Sequence, residues 1–84
     1  MPTPDQLRAA RALLNLTQGQ VSELAGLSTM TIKRAEGAGQ PPASPAAIAT
    51  IQAALEEAGV EFIAENGQGV GVRLRKEHPI DEGD

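Results

Sequence analysis

Apolar residues recur at intervals of three and four up to Ala58, and beyond Gly59 they recur at intervals of two. That change of period predicts a helical part followed by a strand part. Leu7, Ala10, Leu13 and Leu14 make one helical stripe; Val21, Leu24 and Ala25 make a second; Ile32 and Ala35 a third. Ile48, Ile51 and Leu55, with Ala47, Ala54 and Ala58 beside them, make a fourth, broader one. The residues between the stripes punctuate them. Thr3 with Gln6, and Thr17 with Gln20, each spell a capping box, so helices are expected to begin at Pro4 and at about Gln18. Ser28 can cap the third helix, and Ser44-Pro45 opens the fourth. Gly26 ends the second helix in a tight turn, Leu27 fills the corner behind it, and Gly59 ends the fourth helix.

In the strand part, Val60, Phe62 and Ala64 alternate with Glu61 and Ile63, and Val70, Val72 and Leu74 alternate with Gly71, Arg73 and Arg75. A two-residue turn at Asn66-Gly67 would put Phe62 opposite Gly71 and the two apolar sets on opposite faces. Pairing Phe62 with Val72 puts both sets on one face and Glu61 across from Arg73, so a five-residue loop or a bulge is expected. A lone hairpin is marginal in water and its edges invite partners. One expectation is that Val60, Phe62, Val70, Val72 and Leu74 meet their counterparts in a second chain and form a homodimer. The other is that the hairpin only covers the core of a monomer.

The fold class expected is mainly α, four helices with a C-terminal β-hairpin or pair of strands. Residues 1–59 are the helical domain, 60–76 the β segment, and 77–84 a disordered acidic tail. The chain has 84 residues, enough for one small domain, and Phe62 is its one aromatic. It has no cysteine, which excludes disulfides and thiolate metal sites. No apolar run approaches the roughly 18 residues of a membrane span, and the N-terminus does not read as a signal peptide, so a cytoplasmic protein without membrane partners is expected.

The net charge of −4 runs against the basic balance usual in nucleic-acid binders. Its distribution changes that picture. Residues 1–44 carry Arg8, Arg11, Lys33 and Arg34 against Asp5, Glu23 and Glu36, a net of +1, whereas residues 45–84 carry a net of −5. The acidity therefore lies away from the third helix, whose outward residues include Lys33 and Arg34. His78 is the only histidine and stands without a ligating companion. No nucleophile stands beside a base, and no glycine loop follows a strand to cradle phosphate, so neither an enzyme, a cofactor nor a metal is expected.

The string Leu16 to Gly37 thus spells two short capped helices held apart by one glycine, with a small residue, Ser22, where the second must approach. Residues 5–58 resemble the XRE family of bacterial and phage regulators, with its Cro and CI repressor-like helix-turn-helix domains. The resemblance covers about two thirds of the chain. It implies that Gln18 contacts a phosphate and braces the recognition helix. It also implies that Thr29, Met30, Lys33 and Arg34 face the major groove, and that Arg11 and Glu36 form a structural salt bridge. Arg34 is the leading candidate for a bidentate guanine contact, worth about 1–3 kcal/mol of discrimination. Lys33 suits guanine or phosphate, and Met30 and the Thr29 methyl suit a thymine methyl. Thr17, Gln18 and Ser28 would position the backbone, with Thr31 beside them. Many relatives carry lysine or arginine in the loop after this helix; residues 37–43 carry none, leaving Gln40 as the polar contact there.

The function expected is a sequence-specific regulator of transcription, a repressor or autoregulator in the bacterial cytoplasm, bound to duplex DNA at the nucleoid. It would read an inverted repeat as a homodimer. The rival is a protein-interaction module, an antitoxin or antiactivator whose acidic C-terminal half binds a protein partner.

Overall fold

The computed structural model of the protein describes residues 1–75. Four helices, α1 (Pro4–Leu13), α2 (Gln18–Ala25), α3 (Thr29–Ala35) and α4 (Pro45–Ala58), precede an antiparallel pair of strands, β1 (Val60–Ile63) and β2 (Gly71–Leu74). Lys76 and the acidic segment 77–84, with His78, lie outside the described residues. No helix among the described residues is long and apolar enough to cross a membrane.

Each helix starts where its capping residue dictates. Thr3 and Thr17 accept from the backbone of Gln6 and Gln20, whose side chains reach back to the threonine amides, closing both capping boxes. Ser28 and Ser44 each accept one amide, from Thr31 and Ala47. Four such caps matter in a chain whose helices run 7 to 14 residues, because an uncapped helix of that length is unstable alone. Gly26 ends α2 at φ 69°, ψ 31°, a left-handed conformation that glycine adopts without strain.

The core joins all four helices to β1: Leu7 and Ala10 of α1, Val21 of α2, Ile32 and Ala35 of α3, Ile51 and Leu55 of α4, and Val60. Leu14, Ala25, Leu27, Ile48, Phe62 and Val72 pack around it, half-buried. Three positions expected in the buried stripes lie outside them. Leu13 is 41% exposed, because Leu7, Ala10 and Leu14 form the inward line of α1 and Leu13 falls to its side. Leu24 is 54% exposed, beside Ala54, Glu57 and Ala58 of α4, and Ala58 is exposed with it.

The hairpin has the register that places its apolar residues on one face: Val60 opposite Leu74, Glu61 opposite Arg73, Phe62 opposite Val72 and Ile63 opposite Gly71. Arg73 Nε donates to Glu61 Oε1 at 2.7 Å across the ladder. The pairing stops at Ile63 and Gly71, so Ala64 to Val70 form a seven-residue connection, two longer than the spacing predicts. The reason lies in α1. Gln6, only 5% exposed, uses its amide oxygen for the Thr3 N–H (2.8 Å) and its amide nitrogen for the carbonyls of Ile63 (3.2 Å) and Gly71 (2.9 Å). One side chain thus caps α1 and clamps the end of the hairpin.

Replacing that amide tests the clamp. Gln6→Leu leaves the Thr3 N–H and two buried-side carbonyls without their partner, and the expected loss is about 1–3 kcal/mol in a denaturant titration. Amide exchange in 60–74 should rise more than exchange in α2 and α3; a uniform change across the chain would refute a local clamp.

Candidate functional site

The turn between α2 and α3 spans three residues, 26 to 28. Leu27 is half-buried in its corner, held by its N–H to the Ser22 carbonyl at 3.1 Å, and Ser22 Oγ donates in turn to the Gly19 carbonyl at 2.9 Å. Ser28 then sets the phase of α3. Ile32 and Ala35 turn inward, so Thr29, Met30 and Lys33, at relative positions 1, 2 and 5 of the helix, share the exposed face. Met30 is 50% exposed, high for an unbranched apolar side chain. Thr31 is half-buried, its hydroxyl 2.9 Å from Ser28 Oγ.

Behind this face lies a carboxylate bound by three donors. Glu36, at the C-terminal end of α3 and 5% exposed, accepts from Arg11 Nε at 2.7 Å, Arg11 Nη2 at 2.9 Å and Gln18 Nε2 at 3.1 Å. Arg11 spends its remaining amine on the Leu16 carbonyl at 3.2 Å. The hydrogen bonds to Glu36 raise the Arg11 pKa above its ordinary value, partly offset by burial. Residues of α1, α2 and α3 therefore meet at one side chain, and the attitude of α3 is fixed from behind.

Two further arginines make contacts within the chain, Arg8 at the exposed surface and Arg34 half-buried. Arg8 pairs with Asp5 one turn back and donates through Nη1 to the Glu36 carbonyl at 3.2 Å, placing a cation at the C-terminal end of α3. Arg34, the leading sequence candidate for a base contact, is half-buried. Its Cγ would sit 3.9 Å from a Cβ at Gly39, its carbonyl accepts from Gly37 N–H at 3.1 Å, and its Nε is enclosed without a hydrogen-bond partner. The stem of Arg34 thus lies beneath the loop after α3, leaving Lys33 as the more exposed cation of that helix.

Thr17 is exposed at the start of α2, Ser28 and Gln40 are exposed, and Gln18 is half-buried with its amide on Glu36. The residues expected on a dimer face separate. Val60 is 1% exposed within the chain's own core, which corrects its placement on that face. Phe62 and Val72 pack half-buried over the same core, whereas Val70 and Leu74 are 46% and 53% exposed. The capping role of Gln6 was legible in the sequence; its clamp on the hairpin and the bond from Arg8 to the Glu36 carbonyl were not. Arg8 carried one legible signal, its position one turn ahead of Arg11 on the same side of α1. The second use of the Gln6 amide, across 57 and 65 residues, carried none. Among the described residues, no three His, Cys, Asp or Glu side chains gather as a metal site would require.

Removing the Glu36 carboxylate leaves Arg11 without its counter-charge. Glu36→Ala is expected to lose about 3–5 kcal/mol, the usual cost of breaking a buried pair. Because the Arg11 pKa is raised, its contribution is present below the ordinary arginine range and is lost only as pH rises through the higher folded value. Wild-type stability should therefore show no loss from this pair on mild alkalinisation. Arg11→Lys, with an intrinsic pKa of about 10.4, should lose stability at lower pH; matching alkaline profiles by circular dichroism would contradict this. No protein-family model matches the chain, and no curated protein matches it.

Proposed function

We propose that the protein is a sequence-specific DNA-binding regulator of the Cro and CI-like kind, a helix-turn-helix domain that lays α3 in the major groove. The observation that carries this reading is the outer face of α3, where Thr29, Met30 and Lys33 stand exposed on a short helix. That helix is set by a glycine corner and braced through Glu36. A groove reader needs such a face, because discrimination between bases requires side chains held in fixed positions. Lys33 takes the leading part in guanine or phosphate contact. Met30 and the Thr29 methyl offer apolar contact to thymine. Thr17, Ser28 and Gln40, all exposed, would position the phosphate backbone. Gln18 acts chiefly from behind, on Glu36, while the stem of Arg34 lies against the loop after α3 and its terminal amines are the candidates for a guanine contact.

The proposed role is recognition without catalysis, in the bacterial cytoplasm at the nucleoid. A homodimer reading an inverted repeat would set the two copies of α3 about 34 Å apart, one turn of DNA. The exposed Val70 and Leu74 at the hairpin are the residues free to make such a dimer. A second reading, binding of a protein partner, is favoured by Leu24, exposed over Ala54 and Ala58 beside the acidic Glu57.

Selection of bound sequences from a random duplex pool should enrich an inverted repeat. Lys33→Ala and Met30→Ala should each lower affinity for that repeat by about 1–3 kcal/mol, roughly 5- to 150-fold, with the fold intact by circular dichroism. No enrichment by the folded protein would favour the second reading. For the dimer, Leu74→Lys should leave the helices folded and lower the mass seen in sedimentation equilibrium; an unchanged dimer would place its interface elsewhere.

A further inference from the structure

The connection between the strands holds the pair Asn66-Gly67 in an arrangement that the DNA-binding reading does not use. Both residues are exposed, and Gly67 has φ 96° and, lacking a side chain, leaves its nitrogen uncrowded. The Gly67 N–H donates to Glu65 Oε2 at 2.9 Å, and the Gln68 N–H donates to Asn66 Oδ1 at 3.2 Å. A nucleophile therefore has a carboxylate on its proton. The neighbouring electrophile, the Asn66 side-chain carbonyl, has a donor on its oxygen. The same Glu65 oxygen also accepts from Gly69 N–H at 3.0 Å, which keeps the carboxylate over the loop.

We propose that Asn66-Gly67 is a self-modification site at which the protein deamidates with Glu65 as the base. Glu65 takes the proton of the Gly67 amide, and that nitrogen attacks Asn66 Cγ as a C–N bond forms. The Gln68 N–H stabilises the charge that develops on Asn66 Oδ1. The bond from Cγ to the side-chain nitrogen then breaks, and the proton held by Glu65 leaves with ammonia. Water opens the cyclic imide at either carbonyl, giving aspartate or isoaspartate. Nothing is oxidised or reduced. The isoaspartate product lengthens the main chain by one carbon, and both products put a new carboxylate beside Glu65.

This chemistry is independent of what the protein binds. Asn15, the only other asparagine, is followed by Leu16 and serves as an internal control. The full-length protein is incubated at neutral and mildly alkaline pH, in buffer and in urea, and peptide mapping by mass spectrometry follows amide-to-acid conversion at both asparagines. Conversion is expected at Asn66 and not at Asn15, at least as fast folded as in urea, with isoaspartate among the products. Glu65→Gln should slow the folded protein several-fold and leave the rate in urea unchanged. Folding that suppresses conversion at Asn66, or a Glu65→Gln variant that converts as fast or faster, would overturn the proposal.

Discussion

The arrangement of this small protein depends on one carboxylate. Glu36 is nearly closed off from water, and a buried charge is tolerated only when its hydrogen-bonding capacity is met by donors in good geometry. Here the donors are a two-point fork from Arg11 and an amide from Gln18, so the residue can be buried only if α1, α2 and α3 take up one relative position. Hydrophobic contact alone would not impose this. The core is built from alanine, valine, leucine and isoleucine, which can slide past one another with small losses, whereas a bidentate ion pair cannot. Arg8 adds to the same point from the outside, bonding the backbone carbonyl of the residue whose side chain Arg11 holds.

Gln6 plays the equivalent part at the other end of α1. A two-stranded hairpin has too little buried surface to persist by itself. This one is tied to the helical part by Val60 in the core, by Phe62 and Val72 against it, and by the Gln6 amide at the last ladder pair. The Glu61–Arg73 pair on its outer face is solvated and contributes at most about 1 kcal/mol. Removing the hairpin would take Val60 out of the core and break the link to Gln6, so the β segment is part of the folding unit and not an appendage to it.

Local signals were legible in the sequence, and among the long-range uses of single side chains the Arg11–Glu36 pair and the Gln18 brace were implied by the family resemblance, whereas those of Gln6 and Arg8 were not. The starts of all four helices follow from Thr3, Thr17, Ser28 and Ser44, because a cap is a contact between residues three apart. The strand register follows from alternation together with the opposite charges of Glu61 and Arg73. Leu24 and Leu13 misled the reading because periodicity marks a face and says nothing about whether another element covers all of it. Arg34 lies on the outward arc that periodicity marks, and its half-burial against Gly39 of the following loop is a contact that periodicity does not show. At the candidate site, therefore, Thr29, Met30 and Lys33 were placed correctly as an exposed set, while the tasks of Gln6, Arg8 and Arg34 required the tertiary structure.

These internal tasks bear on the kind of DNA binding proposed. Each phosphate neutralised adds about −0.9 to the salt slope and most of the nonspecific affinity. Of the four cations in residues 1–44, Arg11 is committed to Glu36, Arg8 to Asp5 and the end of α3, and the stem of Arg34 to the neighbouring loop. Lys33 is the one whose exposure is not qualified by such a contact, on a chain with net charge −4. A domain of this design would hold weakly to arbitrary duplex and would draw its affinity from base contacts by Lys33, Met30 and Thr29. Such contacts have value only when α3 is rigid, and that rigidity is what the Glu36 pairings supply.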